Sequence, residues 1–263
     1  MSAVEDRDVY EFEDRPAADR SLHLLDVVPE LAHALDAEQR AAARDAVRLA
    51  VVDLPPGPWV RETIDGGPKT CFGAVVVAGL LTRRVDIGGH PALTLHGPGD
   101  MIGSRPLAQG PLAAEEAWAA TTPTQIGLFD DQLLMAARRW PRLVSGLFHA
   151  LQDQHDRLLL QLAAAGQRRV EDRILALFLH LSERFGTVSP EGVVISLRLT
   201  HQALGGLIGA RRPTVTLAVG ALYSRGVLEQ RADRSWLVKA SPEELASNAI
   251  PLGRGTRPVP AEA

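Results

Sequence analysis

Two hydrophobic rhythms divide the chain. Between Leu49 and Phe129 the apolar residues fall in short runs, LAVVDL, FGAVVVAGLLTRRVDI, ALTLHG and TQIGLF. Pro-Pro-Gly-Pro, Gly66-Gly67-Pro68, Gly88-Gly89 and Gly97-Pro98-Gly99-Asp100 punctuate them. Many short strands with glycine-rich turns predict an all-β sandwich or jelly roll. On either side the spacing is helical. Ser21 to Ala50 reads mostly as helix, with LHLLDVVPELAHAL followed by a cap at Asp36 and the run AEQRAAARDAV. Asp130-Asp131 can cap a short helix, QLLMAARRW, and Pro141 restarts the chain as a long one. From Leu143 to Ala165 an apolar stripe passes through Leu147, Leu151, Leu158 and Leu162, broken by Gln154 and His155. Such a seam suits a two-helix coiled coil between subunits. Packing against the chain's own roll is the other reading, and Leu159 and Leu160 widen the stripe enough for both.

Residues 168–186 predict an amphipathic helix through Val170, Ile174, Leu177, Phe178 and Leu181, stopped by Gly186. GVVISLRL then reads as a strand leading into Leu199–Gly226, two short helices joined by a tight turn. Thr200 is the N-cap of the first, and Leu204, Leu207 and Ile208 form its apolar stripe. Gly209 suits the left-handed residue that ends a helix. Arg211-Arg212-Pro213-Thr214 opens the second helix, where proline is tolerated because first-turn N–H groups have no intrahelical partner. Val215, Val219 and Leu222 face a core, and Pro213, Thr216, Leu217, Gly220 and Ser224 fall on the opposite, uncharged face. After Gly226, VLEQRADRSWLVK alternates and turns at Ala232-Asp233-Arg234, a short hairpin. Helix, turn, helix and two-stranded wing make a winged helix-turn-helix, whose second helix enters the major groove.

A net charge of −4 over 263 residues looks wrong for a DNA binder until it is localised. Between Thr200 and Lys239 the cations Arg211, Arg212, Arg225, Arg231, Arg234 and Lys239 face only Glu229 and Asp233. Phosphate attraction depends on that local balance. No apolar run is long enough to span a bilayer, and the acidic N-terminus lacks the regions of a signal peptide, so a cytoplasmic location is expected. Cys71 stands alone, which rules out an internal disulfide and a four-thiolate iron–sulfur cluster within one chain. The eight histidines include no close pair with an acidic neighbour, so neither a metal site nor catalytic residues are expected, and the chain reads as a non-enzyme.

Residues 168–240, with RRVEDRILALFLHLSERFG, LRLTHQALGGLIGARRPTVTLAVGAL and the wing, resemble the C-terminal domain of the Crp/Fnr transcription regulators. The pattern LTxxxLGxxIGxxRxTV carries the likeness. The run GAVVVAGLLTRRV, the GPGDMIG turn and TTPTQIGLFDD resemble the cyclic-nucleotide-binding-like roll of the same family, so the likeness covers about 22–240. It implies an α+β chain: an N-terminal antiparallel β jelly roll, a long dimerisation helix and a C-terminal winged helix-turn-helix. The expected divisions are a disordered tail (1–20), a sensor domain (21–136), the dimer helix (137–166), the DNA-binding domain (167–241) and a C-terminal tail (242–263). Leu143, Leu147, Leu151, Leu158 and Leu162 are the expected dimer residues.

The resemblance assigns base reading to Arg212, which could bond guanine O6 and N7 bidentately. The family's next two readers are commonly a glutamate and an arginine. Here they are Pro213 and Leu217, which with Thr216 offer mainly apolar contact, so a different operator is expected. Thr200, His201, Gln202, Arg211 and Thr214 are candidates for phosphate contacts, which position without specifying. The pocket candidates are Gly99, Asp100, Gly103, Ser104 and Glu115. Cyclic-nucleotide binders of the family carry a glutamate after the final glycine and, further on, an arginine followed by Ser or Thr. This chain has Ser104, then Ala114, Glu115 and Glu116. A carboxylate roughly 4 Å from a phosphate costs about 4 kcal/mol at an effective dielectric near 20, on the order of a thousandfold in affinity. The expectation is therefore no cofactor and no control by cAMP. Expected partners are double-stranded DNA, a second copy and RNA polymerase, with no membrane. The rivals are a metal-, haem- or redox-responsive regulator of the same fold, and a jelly-roll enzyme with an accessory winged helix.

Overall fold

A computed structural model describes residues 21–33, 35–60, 71–105, 107, 111 and 114–240. The expected tails and the Gly66-Gly67-Pro68 turn lie outside them. The chain divides into two compact units. One comprises Met1–Thr82, Leu95–Ala108 and Trp118–Leu151; the other comprises Arg83–Thr94, Gln109–Ala117 and Gln152–Ala263.

The strands of the roll are β1 (Ser21–His23), β2 (Arg48–Leu54), β3 (Gly57–Trp59), β4 (Gly73–Ala78), β5 (Leu81–Ile87), β6 (His90–His96), β7 (Met101–Gly103), β8 (Ala114–Ala120) and β9 (Thr124–Phe129). They form a sheet ordered β1-β2-β9-β4-β7 and another ordered β3-β8-β5-β6. The first is buried on both faces, which is why GAVVVA is continuously apolar. Side chains alternate across a strand. Ala74, Val76, Ile102 and Ile126 therefore join Trp59, Leu81 and Trp118 in one core. Val75, Met101, Leu49 and Phe129 meet helical residues on the other face. Trp59 and Trp118 lie opposite each other across the β3–β8 pair, edge to face with centroids 5.8 Å apart.

The helices of this unit are α1 (Leu24–Val27), α2 (Ala37–Ala46), α3 (Asp131–Arg139) and the start of α4 (Arg142–Ala165), with a 3-10 turn at Pro29–Ala32. The Asp36 cap forms as expected, accepting from the Gln39 amide at 2.8 Å, and Asp130 caps α3 through the Gln132 amide at 2.9 Å. The helical reading of Ser21 to Ala50 needs correction at both ends. Ser21–His23 pairs with Arg48–Ala50 as antiparallel strand, because the sheet edge there satisfies backbone groups that helix spacing alone cannot assign. The long run FGAVVVAGLLTRRVDI is two strands. Gly79 adopts φ +88°, and a Cβ there would lie 2.4 Å from the Pro123 carbonyl oxygen.

The second unit contains α5 (Val170–Phe185), β10 (Gly186–Ser189), β11 (Gly192–Ile195), α6 (His201–Ile208), α7 (Arg212–Ser224), β12 (Leu228–Gln230) and β13 (Trp236–Val238). The expected two-stranded wing is half of a four-stranded sheet, ordered β10-β11-β13-β12. The strand expected over GVVISLRL is shorter and pairs with both β10 and β13. Phe178 and Trp236 meet at the centre of this unit, with ring centroids 4.9 Å apart.

The dimer assignment of Leu143 is corrected by its burial. Leu143 is fully buried in the chain's own core, and Leu147 packs partly against that core. Leu151, Leu158 and Leu162 stay exposed, as do Val144 and Phe148 one residue along from the buried pair.

Two outcomes follow from this packing. Leu143→Ala should destabilise the fold by about 2–5 kcal/mol, read by denaturant unfolding, through lost burial and the cavity left behind. Burial holds the His180 imidazole below its ordinary value, with Arg157 and Arg184 adding to this and Glu183 opposing it. The native state thus favours the neutral ring. Its contribution is complete above about pH 6.5 and declines as the pH falls below that value. Thermal melts from about pH 7 to about pH 5 should show a smaller loss of Tm for His180→Gln than for the native chain.

Candidate nucleic-acid interface

The second unit presents α6 and α7 as a helix-turn-helix because their buried stripes share one core. Leu204, Leu207 and Ile208 on α6 and Val215, Ala218 and Leu222 on α7 are all buried. Val219, expected inside, is only half-buried; Ala218 takes the core position. The Thr200 hydroxyl accepts from the Ala203 amide at 3.1 Å, capping α6. Gly209 ends α6 at φ +66°, and the Ala210 amide closes the turn on the Gly205 carbonyl at 2.9 Å. Arg211 then sits at the N-cap of α7 with no side-chain cap bond, and Pro213 occupies its first turn. This end of α7 carries the positive end of a helix dipole and free amides, which favour an anion.

The structure brings the expected base-reading residues together on one face. Arg212, Pro213, Thr216 and Leu217 are all exposed, Leu217 to 77%. Thr216 is less free than its exposure implies. Its hydroxyl lies 3.0 Å from the Arg212 carbonyl and 2.9 Å from His201 Nδ1. If the hydroxyl donates to the carbonyl, as its place one turn along suggests, the imidazole N–H donates to it. His201 is thereby turned toward α7, also 6.5 Å from the Trp236 ring centroid. The methyl of Thr216 and the side chain of Leu217 leave the face beyond Arg212 largely apolar. Gln202, Arg211 and Thr214 are exposed around it.

Two of the cations around this face have acidic partners. Arg231 pairs with Glu191 at 2.6 Å, and Lys239 with Glu229 at 3.1 Å. Asp233 is exposed at the wing turn and bonded within it. It accepts from the Ser235 hydroxyl at 2.7 Å and the Ser235 amide at 2.9 Å, bonds that hold its carboxyl below the usual range. Arg198, Arg211, Arg212, Arg225 and Arg234 have no acidic partner among the described residues. Arg198 was missed by motif reading, and Arg234 was counted in the local charge but not as a site residue. With Thr200, His201 and Gln230 they line a hollow of about 220 Å³ at the start of α6. Arg234 sits at the tip of the wing with φ +69°. The signal for it lay in its place at the hairpin turn.

The pocket candidates are arranged differently. The Gly97–Asp100 turn is closed on itself, because the Asp100 carboxylate accepts from the Gly97 amide at 2.9 Å. Asp100 is 1% exposed, so a buried carboxylate uses an amide that a phosphate cradle would need. Gly99 holds the left-handed turn at φ +86°, and the Ser104 amide is spent on the Phe72 carbonyl. Gly103 is exposed at the end of β7. Glu115 is exposed on β8, and its neighbour Glu116 is held by Arg83 at 2.8 Å, a partner the sequence did not reveal. Among the described residues no group of three or more His, Cys, Asp or Glu could hold a metal ion. No described helix is long and apolar enough to cross a membrane.

Comparison with known proteins bears on the two-helix motif that carries this face. Residues 172–247 match the Crp-like helix-turn-helix domain. A CRP-like cAMP-activated global transcriptional regulator of Mycobacterium tuberculosis is 26% identical over 214 residues, covering 81% of this chain and 93% of that protein. A global nitrogen regulator of Synechococcus elongatus is 30% identical over 104 residues, 39% of this chain and 47% of that one. In structure, a CooA mutant from Carboxydothermus hydrogenoformans aligns with TM-score 0.59 at 15% identity, covering 76% of this chain and 87% of that one. FixK2 from Bradyrhizobium japonicum aligns with TM-score 0.50 at 19% identity, covering 76% and 96%. Residues 172–247 thus form a Crp-like helix-turn-helix domain, and the chain as a whole is similar to DNA-binding transcription regulators of the Crp/Fnr type.

Proposed function

We propose that this regulator binds a pseudo-palindromic operator as a homodimer and does so without cAMP. The observation that carries the reading is the start of α7. Arg212 stands exposed with no acidic partner among the described residues, on an otherwise apolar face, with Arg198, Arg211, Arg225 and Arg234 likewise uncompensated. Arg212 reads a guanine edge in the major groove. Leu217, Pro213 and the Thr216 methyl meet thymine methyls. Arg198, Arg211, Arg234, Gln202 and Thr214 take phosphates, and His201 steadies Thr216.

The second copy is supported by α4. Val144, Phe148, Leu151, Leu158 and Leu162 are exposed and spaced four, three, seven and four apart, a heptad seam whose remaining position is His155. A two-fold axis along that seam relates two reading helices and half-sites about 34–36 Å apart. Independence from cAMP is supported by the turn that Asp100 closes and by Ser104 and Glu115, where cyclic-nucleotide binders have other residues. It separates this chain from its cAMP-activated mycobacterial relative. The regulator acts in the cytoplasm on RNA polymerase and has no catalytic role.

Genome-wide selection of bound fragments by purified protein, with and without cyclic nucleotides, tests the whole reading. Palindromic sites recovered equally in both arms are the expected result; sites recovered only with cAMP overturn the effector part. Arg212→Ala should lose about 1–3 kcal/mol on the selected site and relax preference at one base pair. Equal loss on every sequence would mark Arg212 as a phosphate contact. Arg211→Ala should weaken all sequences alike and lower the salt slope by about 1. Leu158→Asp should give monomers in sedimentation with the fold retained; a native-like dimer would move the interface elsewhere.

A further inference from the structure

Gln161, near the end of α4, joins two elements that are far apart in sequence. Its side-chain Nε2 lies 2.8 Å from the Leu93 carbonyl on β6 and 3.1 Å from the Leu207 carbonyl on α6. A primary amide has two N–H groups, and both are used here. The two acceptors belong to classes of carbonyl that lack backbone partners. Leu207 is in the last turn of α6, where carbonyls have no amide ahead of them. β6 is the edge strand of its sheet, where outward carbonyls have no ladder partner. Arg173 of α5 reaches the next carbonyl, Ile208, at 3.5 Å, so the end of α6 is gripped from two sides. Beside the clasp, a Cβ on Gly206 would lie 3.0 Å from the Leu93 Cβ, so backbone and side chain nearly touch. Elsewhere the three elements enclose a hollow of about 650 Å³, lined in part by Pro91, Leu158, Leu162, Gln202 and Arg211. Across this hollow, the Gln161 bridge and the Leu93–Gly206 contact join β6 to α6, whose own buried stripe is held by the core it shares with α7.

We propose that Gln161 is a positioning residue that clasps β6 to the helix-turn-helix and holds the reading head in its DNA-competent orientation. The clasp takes α6 by its C-terminal end and by Gly206, while Arg211, Arg212, Thr216 and Leu217 all remain exposed. It thus fixes the head without covering the face that reads. This inference rests on the DNA-binding reading above.

The test locks the clasp covalently. Leu93→Cys with Gly206→Cys puts two Cβ atoms slightly closer than the roughly 3.5–4.5 Å of a disulfide, a misfit of a few tenths of an ångström. Oxidised glutathione should convert the two thiols to one disulfide, seen by thiol titration and peptide mapping, with each single variant as control for Cys71. The oxidised pair should bind the selected operator within about twofold of the native protein. Gln161→Glu, isosteric but without either N–H donor, should lose about tenfold with unchanged base preference. Placed in the double-cysteine background, that loss should appear when reduced and vanish when oxidised, a reversal that general damage to the fold would not show. Failure of the disulfide to form, loss of DNA binding on oxidation regained with dithiothreitol, or no rescue of Gln161→Glu would each overturn the clasp. Native protein that selects no DNA would instead overturn the DNA-binding reading, while disulfide formation would still report on the clasp.

Discussion

The reading face of α7 exists because the opposite face is buried. Val215, Ala218 and Leu222 are all but closed to solvent in the unit centred on Phe178 and Trp236. A thirteen-residue helix is marginal alone in water, and the burial of one stripe is what holds it. That burial fixes the rotation of α7 about its axis, and rotation decides which side chains can reach a base edge. The left-handed Gly209 and the closed turn on Gly205 set the direction in which the helix leaves α6. Position and rotation together convert an arginine in a sequence into a candidate reader of guanine.

Electrostatics then acts on a prepared surface. The chain as a whole is acidic, and long-range attraction to DNA follows the field near the contact, which salt screens within about 8–10 Å. Ion pairs subtract Arg231 and Lys239 from that field, and the exposed Asp233 carboxylate, held ionised by its bonds to Ser235, opposes it locally at the wing. What remains among the described residues is the set of guanidinium groups of Arg198, Arg211, Arg212, Arg225 and Arg234, and the nearly uncharged strip of α7. In the proposed reading the two parts have different duties: the guanidinium groups other than that of Arg212 supply affinity that is blind to sequence, and Arg212 with the strip supplies discrimination.

Much of this was legible beforehand. The caps at Thr200, Asp36 and Asp130, the left-handed Gly209 and the wing turn were readable because each is local chemistry, decided by a residue and its next three or four neighbours. The jelly roll was readable in outline because a sheet buried on both faces leaves continuous apolar runs such as GAVVVA. Strands without that signature were missed. β1 and β10 are short, partly exposed and stabilised by partners that lie in other stretches of the chain. β8, AEEAWAA, carries charges that disguise it as loop; one of them is neutralised by Arg83, thirty-three residues away.

The long helix shows where sequence stopped. Its stripe of leucines determined that α4 would be helical and apolar, and the residues themselves determined the two-helix motif, its caps and its local charge. Which leucine faces which neighbour was a tertiary decision. An apolar residue on a helix is equally content against its own core or against another chain, since burial is non-directional. Only the packed structure sends Leu143 inward and leaves Phe148 and Leu151 outside. The same holds for Gln161: its amide could bond any carbonyl, and only the folded chain brings Leu93 and Leu207 within its reach.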